Sequence, residues 1–277
     1  MTEFNIENYL NSLPQNIFFY TPFRNYFIVV INLDNLLLTY LPNLSRFTSL
    51  NILTCSNNKL TSLPELPNSI KRLSCFNNKL TYLPELPKSI EFLWCENNHL
   101  TFLPEFPKSL KKLICEKNQL TYLPELPNNL TELFCSYNKL IFLPKLPESL
   151  SELHCNDNQL IFLPKLPESL THLSCSYNQL TSLPMLSEQL RILKCSHNQL
   201  AYLPELPKNL KCLNCSNNQL TYLPELPENI FLIIFRNNLI YEIIHDINII
   251  PTSAEEVLII KTINKFRKLY NFIKIKY

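Results

Sequence analysis

From Leu50 to Ile240 the apolar residues keep a frame of twenty positions that neither gains nor loses a residue. Each frame begins with a short alternation, as at Leu53 and Cys55, which is the period of a β-strand with one buried face. A polar turn around Asn58 follows, and then Leu60, Leu63-Pro64 and Leu66-Pro67. Each proline lacks a backbone donor and pushes the residue before it to extended geometry. The return half of the unit is therefore predicted to be polyproline-like rather than helical. A fixed period of this size predicts a stacked solenoid, in which each unit buries its apolar side only against its neighbours.

Read down one column, cysteine recurs at Cys55, Cys75, Cys95, Cys115, Cys135, Cys155, Cys175, Cys195 and Cys215, and asparagine recurs from Asn58 to Asn238. The unit reads Leu-x-x-Leu-x-Cys-x-x-Asn-x-Leu-x-x-Leu-Pro-x-Leu-Pro-x-x, as in Leu130 to Ser149. This pattern resembles the leucine-rich repeat. Its Leu-Pro-x-Leu-Pro half is similar to the short subclass found in secreted bacterial effectors and giant-virus repeat proteins. The resemblance implies an α/β solenoid of the horseshoe kind, with short parallel strands on the concave face and few helices except at the ends. The asparagine amide is suited to satisfying backbone groups in the turn, and asparagine tolerates the left-handed conformations needed by a chain without glycine.

The frame divides the chain. Residues 1–27 are expected to be an N-terminal cap, with a short amphipathic helix from Phe4 to Leu13 ended by Pro14. Residues 28–49 form a degenerate first repeat, which places Ile31, Leu33 and Leu38 where Leu53, Cys55 and Leu60 later fall. The repeats occupy 50–240, and 241–277 should be a C-terminal cap. There Ser253 and Glu256 make a capping box, and Ile259, Ile263, Phe266, Tyr270 and Ile273 follow at helical spacing.

The chain of 277 residues contains no glycine, which removes the Walker phosphate loop, the dinucleotide-binding glycine fingerprint and the Gly-x-Ser-x-Gly elbow together. No cofactor is expected. A net charge of +2 is too small to steer the molecule towards nucleic acid or an acidic membrane. Met1 to Leu13 has no signal-peptide character, and the apolar run Tyr26 to Leu33 is too short to span a bilayer. A cytoplasmic protein with reduced thiols is the expectation, in the host cytoplasm if the source is a virus or a secreting bacterium.

The cysteine column admits three readings. Strands in register lie about 4.8 Å apart with parallel side-chain vectors, which suits neither a disulfide, whose vectors converge, nor four ligands around one zinc. Burial as small hydrophobes is left. Cys212 and Cys215 form the one Cys-x-x-Cys; their odd separation sends them to opposite faces, which predicts an exposed thiol at Cys212. His154 and His172 fall in adjacent repeats without an aligned acidic or thiol partner, so no metal site is expected.

The outward strand positions vary where the core columns do not. Arg72, Phe76, Phe92, Trp94, Ile114, Glu132, Phe134 and His154 compose an apolar and aromatic patch rimmed by charge, the usual mark of a partner site. The competing reading is that these rings only cover one another across strands. A second stripe, Tyr82, Phe102, Tyr122, Phe142, Phe162, Tyr202 and Tyr222, is regular, which predicts structural stacking along one edge. Between the prolines, Glu85 with Lys88 and Glu105 with Lys108 become Lys145 with Glu148 and Lys165 with Glu168, a solvated face whose pairs individually matter little. The sequence thus predicts a monomeric, non-enzymatic module that binds a protein partner and has no small-molecule substrate. Two alternatives are a target-delivering adaptor for a ubiquitin ligase, and a membrane or nucleic-acid binder working through Lys261, Lys265, Arg267, Lys268, Lys274 and Lys276.

Overall fold

The computed structural model describes residues 18–20, 27–239 and 258–259. The chain divides into two compact units, Met1–Leu140 and Ile141–Tyr277. Over its described residues each is a parallel-strand solenoid with almost no helix. In the first unit β1 (Phe18–Tyr20) runs antiparallel to β2 (Phe27–Asn32). From there every pairing is parallel, through β3 (Leu50–Thr54), β4 (Arg72–Ser74), β5 (Phe92–Trp94), β6 (Lys112–Ile114) and β7 (Glu132–Phe134). The second unit stacks β8 (Glu152–His154), β9 (His172–Ser174), β10 (Ile192–Lys194), β11 (Cys212–Asn214) and β12 (Leu232–Ile234) in parallel. It ends on β13 (Leu258–Ile259), antiparallel to β12.

The frame of twenty explains this register directly: Leu73 pairs with Leu93, Leu93 with Leu113, and Leu113 with Leu133, so identical residues lie side by side. From β4 to β11 the central residue of each strand and the cysteine two positions on point inward and are fully buried, joined by the leucines of the return segment. The return segments are extended, as the prolines require, and each closes in a reverse turn. In that turn the backbone N–H of Leu130, for example, donates to the carbonyl of Pro127 at 3.0 Å.

The asparagine column holds successive turns together. Asn78 Nδ2 lies within donating distance of the carbonyls of Cys55, Cys75 and Phe76, while its Oδ1 accepts the N–H of Leu60. The same set recurs at Asn98 and Asn118 in the first unit and at Asn198 and Asn218 in the second. The cysteine carbonyls among them lie just past the strand ends and are bonded by these amides, and a buried acceptor without a partner is costly.

The left-handed conformation sits elsewhere than expected. It belongs to the residue before each column asparagine: Asn57, Asn77, Asn97, Lys117, Tyr137, Asp157, Tyr177, His197, Asn217 and Asn237 all have φ between 52 and 58°. The bend is imposed by the turn and is kept even where a lysine or tyrosine must adopt it, at a cost that glycine would not incur.

Two further expectations change. Leu258 and Ile259 form a strand against Ile233 and Leu232, so the helix predicted from Ser253 does not run through Ile259; its remainder, the basic residues after it and the N-terminal helix lie outside the described residues. Cys212 is not an exposed thiol. It points outward, but it is only 7% exposed, because a small side chain flanked in register by the larger Ile192 and Leu232 is shielded by them.

Candidate partner-binding face

The outward side of the first unit's sheet carries three columns, at the first strand position, the third, and the position beyond the cysteine. Arg72, Phe92, Lys112 and Glu132 align in the first column, and Ser74, Trp94, Ile114 and Phe134 in the second. Phe76, Glu96, Glu116 and Ser136 follow beyond the strands. All the apolar members are half-buried rather than fully exposed.

The half-burial comes from contacts among the residues themselves. The rings of Phe92 and Trp94 stack with centroids 5.8 Å apart and planes 12° apart. The Arg72 guanidinium sits 4.9 Å above the Phe92 ring, a cation–π contact that caps one end of the stack. Lys112 does two things at once: its Nζ lies 5.1 Å from the Phe134 ring and 2.5 Å from a Glu132 carboxylate oxygen. Lys112 had no role of its own in the sequence pattern, where it reads as one more charge at the rim. Its position between an aromatic ring and a carboxylate emerges only from the cross-strand register. The result is a pre-packed platform with Trp94 between Ser74 and Ile114.

Beside it two carboxylates are held under strain. Burial raises the pKa of Glu96 above the usual carboxylate range; its own backbone N–H opposes this, and the charge of Glu116 adds to it. Glu96 Oε2 is buried without a hydrogen-bond partner. Glu116 is raised by burial too, against a hydrogen bond from the Ser136 side chain and the nearby Lys117 charge.

His154 ends β8 in the second unit. Burial lowers its pKa; Glu152 opposes that shift, and Lys194 and His172 reinforce it. Its neighbour His172 places Nδ1 2.8 Å from the Thr171 hydroxyl and 4.0 Å from Glu152. Among the described residues no group of three His, Cys, Asp or Glu side chains is arranged to hold a metal ion.

The ladder cysteines are all buried. Burial drives the thiols of Cys55, Cys175 and Cys215 up to about 12, and pushes Cys75, Cys95, Cys115, Cys135 and Cys195 well above the ordinary range. Such thiols stay protonated and make poor nucleophiles. The regular aromatic stripe behaves differently from the expectation of edge stacking. Tyr82, Phe102, Tyr122, Phe142, Phe162, Tyr202 and Tyr222 are 44–53% exposed, and among the described residues no ring pair joins them. Regular spacing aligns these rings without bringing them face to face.

No protein-family model and no curated protein matches the sequence. Among solved structures the chain is similar to YopM from Yersinia enterocolitica WA-314, at 38% identity and a TM-score of 0.64, over 76% of this chain and 51% of that one. It therefore spans about half the length of that protein. It is similar to the leucine-rich effector protein YopM from Yersinia pestis at 32% identity, over 76% of this chain and 77% of that one, with a TM-score of 0.49. It is also similar to the functional domain of InlJ from Listeria monocytogenes, which includes a cysteine ladder, at 25% identity and a TM-score of 0.55, over 77% and 54% of the two chains.

Proposed function

The chain belongs to the leucine-rich-repeat proteins, and from that premise we propose that it is a non-enzymatic interaction module. It binds a protein partner through the outward sheet face of its first unit, with Trp94 as the anchor. The observation that carries this reading is the platform of Arg72, Phe92, Trp94, Lys112 and Phe134. Rings and cations are pre-ordered there by stacking, cation–π contact and an ion pair, which lowers the entropy lost when a partner docks. Tryptophan, tyrosine and arginine are the side chains that most often dominate binding energy at interface centres. The leucine-rich-repeat fold of the neighbours supports a protein partner in general, and the protonated state of the buried thiols agrees with a role other than thiol catalysis.

The test begins with proximity labelling in the native cell to identify the partner, followed by titration of the purified pair. Trp94→Ala should weaken binding by about thirtyfold or more, the equivalent of about 2 kcal/mol, while leaving the thermal unfolding midpoint nearly unchanged. Tyr122→Ala, on the other side of the turns, serves as the control and should bind as the parent does. Undiminished binding by Trp94→Ala removes that residue from the site, and an equal loss from both substitutions removes the preference for the sheet face.

A further inference from the structure

A second surface, independent of the sheet face, lies on the return side of the turns. In the repeats of the first unit the two prolines enclose Glu85 and Glu105, and Lys88 and Lys108 follow; all four are exposed. In the first two return segments of the second unit the same positions carry Lys145 and Lys165, then Glu148 and Glu168, also exposed, whereas Glu205 and Lys208 further on keep the first unit's signs. The inversion is complete at both positions of both repeats. Among the described residues none of these eight charged ends takes part in an ion pair within the chain.

The apolar residues change in step with the charges. Where most repeats place threonine before the aromatic ring, the two inverted repeats place isoleucine, giving Ile141-Phe142 and Ile161-Phe162, all about half exposed. Within the second unit the next repeat continues the patch with Met185, which is 85% exposed where most repeats have an acid or lysine. The first unit offers Tyr82 and Phe102, exposed beside its own charges. Over these two pairs of repeats, exposed rings stand beside two parallel lines of opposite charge, and the two patterns are mirror signs of each other.

Facing surfaces of this kind can align in two ways. If the stacks run in opposite directions, each position between the prolines meets its equivalent, so Glu85 and Glu105 face lysines while Lys88 and Lys108 face glutamates. If the stacks run in the same direction, the two charge lines cross over, and a first-unit face against a second-unit face brings glutamate to glutamate and lysine to lysine. Like-on-like pairing of two first units would already work with uninverted repeats in that second alignment. The inversion is required only by the first.

We propose that the return side of the first unit binds the return side of the second unit of another copy of this chain, with the two stacks running in opposite directions. Half-exposed Phe102, Ile141, Phe142, Ile161 and Phe162 supply the apolar part of the contact. The charge lines select the orientation and the register, which is what exposed charges across an interface do best. Under this proposal the chain self-associates, where the sequence alone led to the expectation of a monomer.

The experiment is sedimentation equilibrium of the full chain over a range of protein and salt concentrations. The parent should self-associate, and the association should weaken as salt screens the exposed charges. Glu85→Lys with Glu105→Lys, or Lys145→Glu with Lys165→Glu, should each weaken it by at least about tenfold while leaving thermal unfolding unchanged. Mixing these two variants should restore association, because every inverted pair is complementary again, and so should all four substitutions in one chain. A parent that stays monomeric at the highest soluble concentration overturns the proposal, as does association that none of the substitutions alters. A four-substitution chain that associates more weakly than either two-substitution variant also overturns it, since that result belongs to like units packed with stacks in the same direction.

Discussion

The side-chain oxygen of Asn118 accepts the backbone N–H of Leu100 at 3.0 Å, one turn back in the stack. Its amide nitrogen meanwhile lies 3.0 Å from the carbonyl of Cys95 and 3.1 Å from that of Cys115. One side chain thus closes the turn in which it sits and the turn before it. Asn118→Ala would leave several buried backbone groups unpaired at once, and about 3 kcal/mol of destabilisation is expected, at about 1–3 kcal/mol per orphaned group with partial relief by water. Urea unfolding at neutral pH checks this. Asn97→Gly, which loses only an exposed bond to Asn77 and suits the left-handed conformation at that position, is the comparison and should cost less than about 1 kcal/mol.

The thiol column predicts two further outcomes at Cys135, which is fully buried with its pKa raised by burial and by Glu116. Cys135→Ala leaves a cavity about the size of one sulfur and should cost about 1 kcal/mol. Cys135→Asp puts a carboxylate without a counter-charge into the same space and should cost more than about 3 kcal/mol, enough to lower the urea midpoint sharply. A maleimide or disulfide reagent should label the folded ladder only as fast as the protein opens. Labelling of the native state at the rate of an unfolded control contradicts the buried reading.

The left-handed residues invite a stabilising change. Lys117 has φ 52°, and its side chain makes a long contact, Nζ lying 5.8 Å from the Tyr137 ring, besides its charge interaction with Glu116. Lys117→Gly removes the steric cost of that conformation, and about 0.5–1 kcal/mol of added stability should survive the greater freedom that glycine gains when unfolded. A rise in the thermal midpoint measures it. A fall would mean that the lysine contact outweighs the strain.

Stability should also vary with pH through Glu96. Burial raises its pKa in the folded chain above the ordinary carboxylate value, so the fold favours the protonated acid. The sign follows: this group's contribution is full below the ordinary carboxylate pKa and is lost as pH rises through the raised value. Glu96→Gln removes that loss. At pH 7 the variant should be more stable by about 0.5 kcal/mol, a small figure because the side chain is half-exposed and solvent screens it. The difference should shrink as pH falls below the carboxylate range. Equal urea midpoints for both proteins at pH 7 contradict the assignment.

What was legible in the sequence is what the frame repeats. The strands, the buried cysteines and the extended return segments follow from residue types that recur at every twentieth position, and the structure places them as that pattern requires. The left-handed position was not legible, because its occupants range from Asn57 to Tyr137 and Asp157. The turn geometry sets the backbone there, and the residue merely endures it. Cys212 shows a second limit: alternation says which face a side chain points to, but not whether Ile192 and Leu232 on either side will cover it. At the proposed binding face, the sequence identified the rings. It did not show that Phe92 and Trp94 stack on each other, or that Lys112 bridges Phe134 and Glu132, because those contacts depend on which rotamers neighbouring strands permit.

The asparagine column also fixes how the protein responds to force. Its bonds, and those of the strand ladder, run from turn to turn within a unit, while few contacts reach beyond the adjacent turn. A unit drawn out from its end therefore yields by peeling rather than by shearing as a whole. Each event frees one frame of twenty residues, about 70 Å of extended chain, and exposes a next turn nearly identical to the last. Such an element lengthens in even steps at nearly constant tension, and recoils by re-docking one turn at a time onto the template that remains.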